Sequence, residues 1–305
     1  MEYRIALAAE KIEENPSEVL NGVGMIRGEY LCRIIEEYYT LESCREYVKD
    51  YIENICKLYE GKEVWYRNSD FIVDEVNVLK GVDHVLKEQN NILGLRGTRR
   101  GLKYKDIFKM ELEIVVELSK KYNNINILFS YIKDVEELDE CIKILKELGV
   151  ENKYGIMAEI PSVSMDLENF AKRGVSNITI GVNDLTTLML GTYRGSDYHD
   201  CNHPIILKAI KECVEIAKIY NIEVSVGGIV NKRLLDNCKK IGIDYFIINY
   251  PLLNKILNVP SDKLKYINQL SEIKKLTKSK RLLEKIKEYK KFIEENDYLL
   301  EKGEE

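Results

Sequence analysis

The sequence predicts an α/β protein: a (β/α)8 TIM-type barrel with a long insertion after the third strand and a C-terminal helical tail. Three observations predict it. Short apolar runs of strand length alternate with amphipathic helical stretches over most of the 305 residues. The alternation repeats eight times, and βα repeats with right-handed crossovers build a parallel sheet. Polar and charged residues collect where successive strands end, the end at which such barrels do chemistry. A doubly wound sheet is the alternative. It is disfavoured because no Gly-x-Gly-x-x-Gly follows the first strand.

The elements follow in order. Tyr3–Ala8 is a weak first strand. Gly22–Arg27 is the second, and Glu29–Tyr39 continues it as a helix. Leu41–Tyr59 is helical by the spacing of Cys44, Val48, Tyr51, Ile52, Ile55 and Cys56. Glu63–Arg67 is the third strand. Asn68–Leu102 then breaks the rhythm as a polar excursion holding Gly81, Gly94, Gly97 and Gly101. A loop this long in a compact domain is usually functional or disordered. Tyr104–Tyr122 returns as a helix. Asn126–Ser130 and Val135–Leu148 form the fourth strand and helix, and Tyr154–Glu159 and Ser162–Arg173 the fifth. Asn177–Val182 is the sixth strand and ends in a polar loop. After Gly191–Asn202 a helix runs from Pro204, a good first-turn residue, to Tyr220. Ile222–Val226, Lys232–Ile241 and Tyr245–Ile248 complete the pattern. The expected division is 1–260 as barrel and 261–305 as helical extension. Within the extension, the helical spacing of Leu270, Ile273, Leu276, Leu283 and Ile286 suits packing on the barrel or on a second subunit.

Composition narrows the class. Hydrophobic residues make up 45% of the chain, enough for a sizeable core, and the net charge of −5 argues against a nucleic-acid footprint. No apolar run approaches a membrane span, and the N-terminus lacks the apolar centre of a signal peptide. The seven cysteines (32, 44, 56, 141, 201, 213 and 238) are scattered, with no Cys-x-x-Cys pair. These features suit reduced thiols and a cytoplasmic protein.

The strand ends carry the chemistry. They supply Arg27, Arg67, Ser130, Glu159, Asn183, Asp184, Gly227 and Gly228. The insertion adds Arg96 and Arg99, and the sixth loop adds Arg194. Arginine's planar fork matches phosphate and carboxylate oxygens, so several at one mouth imply a small ligand with more than one negative charge. Glu159 and Asp184 end neighbouring strands, an arrangement that holds a hard cation such as Mg2+ or Mn2+ against substrate oxygens. Each group also has an ordinary explanation. Asp184 suits a helix cap, Glu159 a salt bridge, and any one arginine a surface ion pair. Their gathering at one end of successive strands is what favours a site. The run Tyr198-His199-Asp200-Cys201-Asn202-His203 is disfavoured as a zinc site, because it reads as a loop before Pro204. His84 reads as a polar loop residue.

With those residues in hand, the chain resembles the phosphoenolpyruvate-binding barrel at the C-terminus of phosphoenolpyruvate synthase. Pyruvate, phosphate dikinase and enzyme I of the sugar phosphotransferase system share that barrel. The likeness spans roughly residues 20 to 250. It rests on Gly24-Met25-Ile26-Arg27-Gly28-Glu29, Arg67-Asn68-Ser69-Asp70-Phe71, Glu75 to Gly81, Leu93 to Gly97, Met157 to Ser162 and Ile180 to Thr186. The resemblance implies a phosphotransferase in which Glu159 and Asp184 hold Mg2+ and Arg27 and Arg67 grip the phosphate. It further implies that Arg96, Asn183 and Arg194 assist with phosphate or carboxylate, and that Gly227 and Gly228 form part of the substrate wall. A homodimer is expected by the same analogy.

The departures from the family pattern matter as much. The family's Ser-x-Cys-Gly after the seventh strand, whose cysteine protonates the enolate, reads Ser225-Val226-Gly227-Gly228 here. Loss of a positioned acid costs about 10²–10⁴ in rate, and Cys201 and Ser225 are the nearest substitutes in sequence. The family's Asp before the loop arginine is Tyr193, and its Asn-Pro is Asn90-Asn91. Segments of a nucleotide-grasp domain and a phosphohistidine domain are not found, so a separate phosphohistidine or ATP-grasp partner is expected. The alternatives are a diverged enolate enzyme, acting as a lyase or on a non-protein acceptor, and an inactive phosphoenolpyruvate-binding regulatory subunit.

Overall fold

Eight short strands, each with an apolar centre, close on themselves in chain order. In the computed structural model they are β1 (Glu2–Leu7), β2 (Val23–Arg27), β3 (Val64–Arg67), β4 (Ile125–Phe129), β5 (Tyr154–Ala158), β6 (Asn177–Gly181), β7 (Glu223–Gly227) and β8 (Tyr245–Asn249). Every neighbouring pair is parallel, and β8 returns to β1. The structure describes residues 2–10, 12, 19–83, 90, 92–150, 153–228, 231–249, 252–257 and 291. His84, Asn91 and all of Lys263–Glu305 except Lys291 lie outside them. Among the described residues no helix is long and apolar enough to cross a membrane.

Side chains alternate across each strand. Ala6, Met25, Trp65, Leu128, Met157 and Ile247, one from each of six strands, pack as a separate apolar cluster that fills the barrel. Ile26, Val64, Ile127, Ile156, Ile180, Val226 and Ile248 belong to the larger cluster between barrel and helices. Burying each such aliphatic side chain contributes about 1.5–3 kcal/mol. The amino end of the barrel is closed by polar groups. Arg4 donates to Glu223 at 2.6 Å and to Glu63 at 3.0 Å, and Asn177 donates to Glu223 at 2.6 Å.

The helices are α1 (Gly28–Ile35), α2 (Glu42–Leu58), α3 (Val73–Val76), α4 (Gly97–Lys103), α5 (Lys105–Ser119), α6 (Val135–Glu147), α7 (Pro161–Met165), α8 (Leu167–Ala171), α9 (Val182–Leu190), α10 (Pro204–Ile219), α11 (Lys232–Ile241) and α12 (Leu253–Leu257). Three expectations change. The first helix stops at Ile35, because Glu36 takes the left-handed conformation and its N–H bonds Cys32. The polar loop expected after β6 is instead the first turn of α9. Gly181 is that helix's N-cap and no side chain caps it, so Asp184 is not a cap. The excursion after β3 is ordered in its described parts and carries α3 and α4. Ser130 donates its N–H to Asn68 Oδ1 at 2.7 Å, and the Ser69 N–H donates to Glu111 at 2.7 Å.

Candidate active site

The period of two along each strand sets the site. Two residues beyond the inward-facing Met25, Trp65, Met157 and Ile247 come Arg27, Arg67, Glu159 and Asn249. The same rung on β6 and β7 holds Gly181 and Gly227. These six residues line a cavity of about 320 Å³ at the carboxyl ends of the strands. Arg27, Arg67, Arg96, Arg194, Asn183, Gly227, Gly228, Glu159 and Asp184, each singled out from sequence, all line it.

Three lining groups escape the strand-end rule. Arg33 and Tyr30 sit one turn along α1, and Glu75 comes from α3. Glu29 and Asp70, met in sequence only as motif letters, are there as well. Arg99, read as a rim arginine, turns away from the cavity. It donates to Glu137 at 3.4 Å and to the Gly94 carbonyl at 3.2 Å.

The charges therefore balance: Arg27, Arg33, Arg67, Arg96 and Arg194 stand among Glu29, Asp70, Glu75, Glu159 and Asp184. Most arginines are held by acids. Arg67 pairs with Glu29, and Arg33 with Glu75 at 3.0 Å. Arg96 donates twice to Asp70, at 2.8 and 2.6 Å, and lies over the Tyr131 ring at 4.2 Å. Arg194, 57% exposed, reaches Asp184 at 2.8 Å. Arg27 is the exception, held by the Asn249 amide oxygen at 2.8 Å. Among the described residues the buried Nε of Arg67 has no hydrogen-bond partner.

Burial raises the pKa of the Glu159 carboxyl above its ordinary value, and the negative charges of Asp184 and Asp70 add to the rise. One Glu159 oxygen accepts the Tyr131 N–H at 2.8 Å. Burial also opposes ionisation of Asp70, but Arg96, Arg67 and Arg194 outweigh it and hold that carboxyl below its ordinary range. Three further groups fill the margin. Asn183 Nδ2 approaches the Gly228 carbonyl at 3.5 Å. The Cys201 thiol stands behind Asn183, 3.6 Å from its Oδ1 and 3.7 Å from His199 Nε2, and does not line the cavity. Ser225 is inside the barrel and takes the Asn177 amide at 3.2 Å. His203 accepts the Ile205 N–H as the N-cap of α10.

The family described as PEP-utilising enzyme, PEP-binding domain, matches residues 5–259. The chain belongs to the PEP-utilising enzymes. Phosphoenolpyruvate synthase of Pyrococcus furiosus is 29% identical over 224 residues, covering 68% of this chain and 27% of that protein. The probable phosphoenolpyruvate synthase of Methanocaldococcus jannaschii is 27% identical over 278 residues, covering 85% of this chain and 23% of that protein. The Escherichia coli protein named for the phosphoenolpyruvate-dependent phosphotransferase system is 27% identical over 232 residues, 71% of this chain and 30% of that protein. The chain thus spans between 23% and 30% of the length of these relatives. The fold is shared more widely. A HpcH/Hpal aldolase/citrate lyase family protein from Burkholderia cenocepacia superposes with a TM-score of 0.51 at 10% identity, covering 82% of this chain and 88% of that one.

Proposed function

We propose that the cavity binds phosphoenolpyruvate, or a close phosphorylated enol acid, together with Mg2+. The chain then moves the phosphoryl group to or from a histidine on a separate protein. The charge balance of the cavity carries this reading. Five arginines stand among five carboxyl groups. Burial and the charges of Asp184 and Asp70 raise the Glu159 pKa to about 8, so without a cation that carboxyl keeps its proton and the net positive charge offered to a polyanion is small. A divalent cation at Glu159 and Asp184 tips that balance. Mg2+ commonly uses one or two protein carboxylates and completes its shell with water and substrate phosphate. Among the described residues no cluster of three or more His, Cys, Asp or Glu is placed to hold a metal, and this mode needs none. When bound, Mg2+ supplies neutralisation of charge on the enol and phosphate oxygens.

The chain's own groups divide the rest. Among the described residues Arg67 brings a buried Nε–H without a hydrogen-bond partner, and Arg27 is held by the Asn249 amide oxygen rather than by an acid, so both suit phosphate oxygens. Arg194 comes from the loop after α9 and is exposed enough to settle over a bound ligand. Arg96 is fixed by Asp70, and its role is to orient Asp184 and to set the local potential. The amino end of α9, at Val182 and Asn183, lines the cavity, and a helix amino terminus favours an anion. The test uses radiolabelled phosphoenolpyruvate, Mg2+ and the isolated phosphohistidine domain of a phosphoenolpyruvate synthase. Acid-labile label on the domain's histidine is expected. Label that stays in phosphoenolpyruvate contradicts the transfer.

One observation favours a second reading. The described residues lining the cavity include no cysteine, serine, threonine or histidine. An enolate formed there has no thiol or imidazole beside it to protonate carbon, only Tyr30 and the cavity carboxyls. Under this reading another electrophile captures it, in lyase-type chemistry or in transfer to a non-protein acceptor. A regulatory subunit that binds without reaction is the limiting case. Rapid deuterium exchange at C3 of pyruvate in heavy water, with Mg2+, would contradict the second reading.

A further inference from the structure

Most glycines around the cavity are demanded by crowding. A Cβ on Gly97 would lie 2.6 Å from the Tyr131 side chain, and one on Gly181 would lie 2.5 Å from Glu159 Oε2. One on Gly28 would run into the Tyr66 hydroxyl, and one on Gly228 into the Asn183 amide. Gly228 also has a positive φ of 84°. Gly227 is different. Among the described residues its Cβ would meet only Met25 Cε at 3.7 Å and the Ile180 carbonyl oxygen at 3.9 Å, both ordinary contacts. Its φ is not in the positive range. Neither backbone strain nor crowding requires glycine at this position. What the glycine does is leave a space.

That space has a defined character. Gly227 stands on the inward rung of β7, beside Gly181 in register on β6. The room at Gly181 is taken by Glu159, while among the described residues nothing stands nearer to the Cβ position of Gly227 than the Met25 thioether. Met25 and Met157 floor the cavity. The arginines and carboxylates line the other walls. A small enol acid has anionic groups that seek those walls and one uncharged carbon, C3, that does not. Charge therefore turns C3 toward Met25 and Gly227. Thioether side chains adapt to added carbon at little cost.

We propose that Gly227 opens a subsite for a carbon substituent on C3, and that the preferred ligands are 2-oxo acids or enol phosphates longer than pyruvate by at least one carbon. This rests on the reading of the cavity as an enol-acid site. The test is a calorimetric series on the whole chain with Mg2+, comparing pyruvate with 2-oxobutyrate and phosphoenolpyruvate with its 3-methyl homologue. The same series is then run on Gly227→Ala. The wild-type chain is expected to bind the longer member of each pair more tightly. In Gly227→Ala the longer-to-shorter affinity ratio should fall by roughly tenfold or more, the usual scale for one methyl group in a filled pocket. The wild-type ratios stand by themselves if the variant does not fold. Equal binding within each pair, or preference for the shorter member, overturns the subsite and leaves the enol-acid reading intact. Binding of none of the four ligands overturns both.

Discussion

Asp70 holds Arg96 through two hydrogen bonds, at 2.8 and 2.6 Å, and so fixes the guanidinium with its Nη2 3.9 Å from Asp184. Both partners are buried. An arginine singled out from sequence as a ligand-gripping group is thus already committed to an acid, and its charge reaches the site at one remove. Removing one member of such a pair strands the other. Asp70→Ala should cost about 3–5 kcal/mol of stability, read from urea unfolding. A loss below about 1 kcal/mol would show that the pair contributes little.

Glu111 makes stability depend on pH. Its carboxylate accepts the Ser69 N–H at 2.7 Å and the hydroxyls of Tyr66 at 2.8 Å and Tyr39 at 3.3 Å. Burial nonetheless raises its pKa from 4.5 to about 7. Between those values the folded state keeps a proton that the unfolded chain has released. The contribution is complete below pH 4.5 and disappears as pH rises through 7. Denaturant unfolding of wild type should therefore weaken across this window relative to Glu111→Gln, by up to about 1.4 kcal/mol per pH unit. Parallel pH profiles for the two proteins would contradict the assignment.

Gly181 is required by its neighbour. A methyl group there meets Glu159 Oε2 at 2.5 Å and Glu159 Cβ at 2.6 Å. Gly181→Ala should cost about 1–3 kcal/mol through overpacking. It should also displace the carboxylate, lowering metal-dependent ligand affinity in calorimetry by at least the ~10–100-fold seen when a supporting group is lost. A fully folded variant with wild-type affinity would mean that Glu159 is not a ligand.

Arg194 separates stability from binding. It is 57% exposed and reaches Asp184 at 2.8 Å. Arg194→Ala should shift unfolding by no more than about 0.5 kcal/mol, as surface changes usually do. Ligand affinity should fall about ten- to a hundredfold, the value of a charge-assisted hydrogen bond of ~1.5–3 kcal/mol. Unchanged affinity would remove Arg194 from the site.

The barrel was legible because strand and helix periods differ, and apolar runs such as Ile178–Ile180 and Val224–Val226 are too short for helices. The strand-end rule led to Arg27, Arg67, Glu159, Asn183, Asp184, Gly227 and Gly228, which line one cavity, because each lies at or just beyond the end of a barrel strand; it also pointed to Arg99 and Ser130, which do not line it. It missed Arg33, which lies on α1 beyond the end of β2, and it met Glu75 of α3 only as a motif letter. It missed Asn249 because β8 runs one residue further than its apolar run. Asn183-Asp184 read as loop because Asn, Asp and the Thr186-Thr187 pair are poor helix formers. The fold overrides that preference, and Thr186 bonds back to the Val182 carbonyl at 2.7 Å. The paired acids Glu29 and Asp70 were visible as letters. That they neutralise Arg67 and Arg96 depends on contacts between strands and loops that spacing does not encode.

The central claim is that the balanced cavity needs a divalent cation to hold its anionic ligand. Titration calorimetry with phosphoenolpyruvate, first with excess Mg2+ and then with EDTA, tests it most directly. Binding with Mg2+ and an affinity lower by at least about tenfold without it, about 1.4 kcal/mol, are expected. Equal binding with and without the cation, or no binding under either condition, would contradict the account.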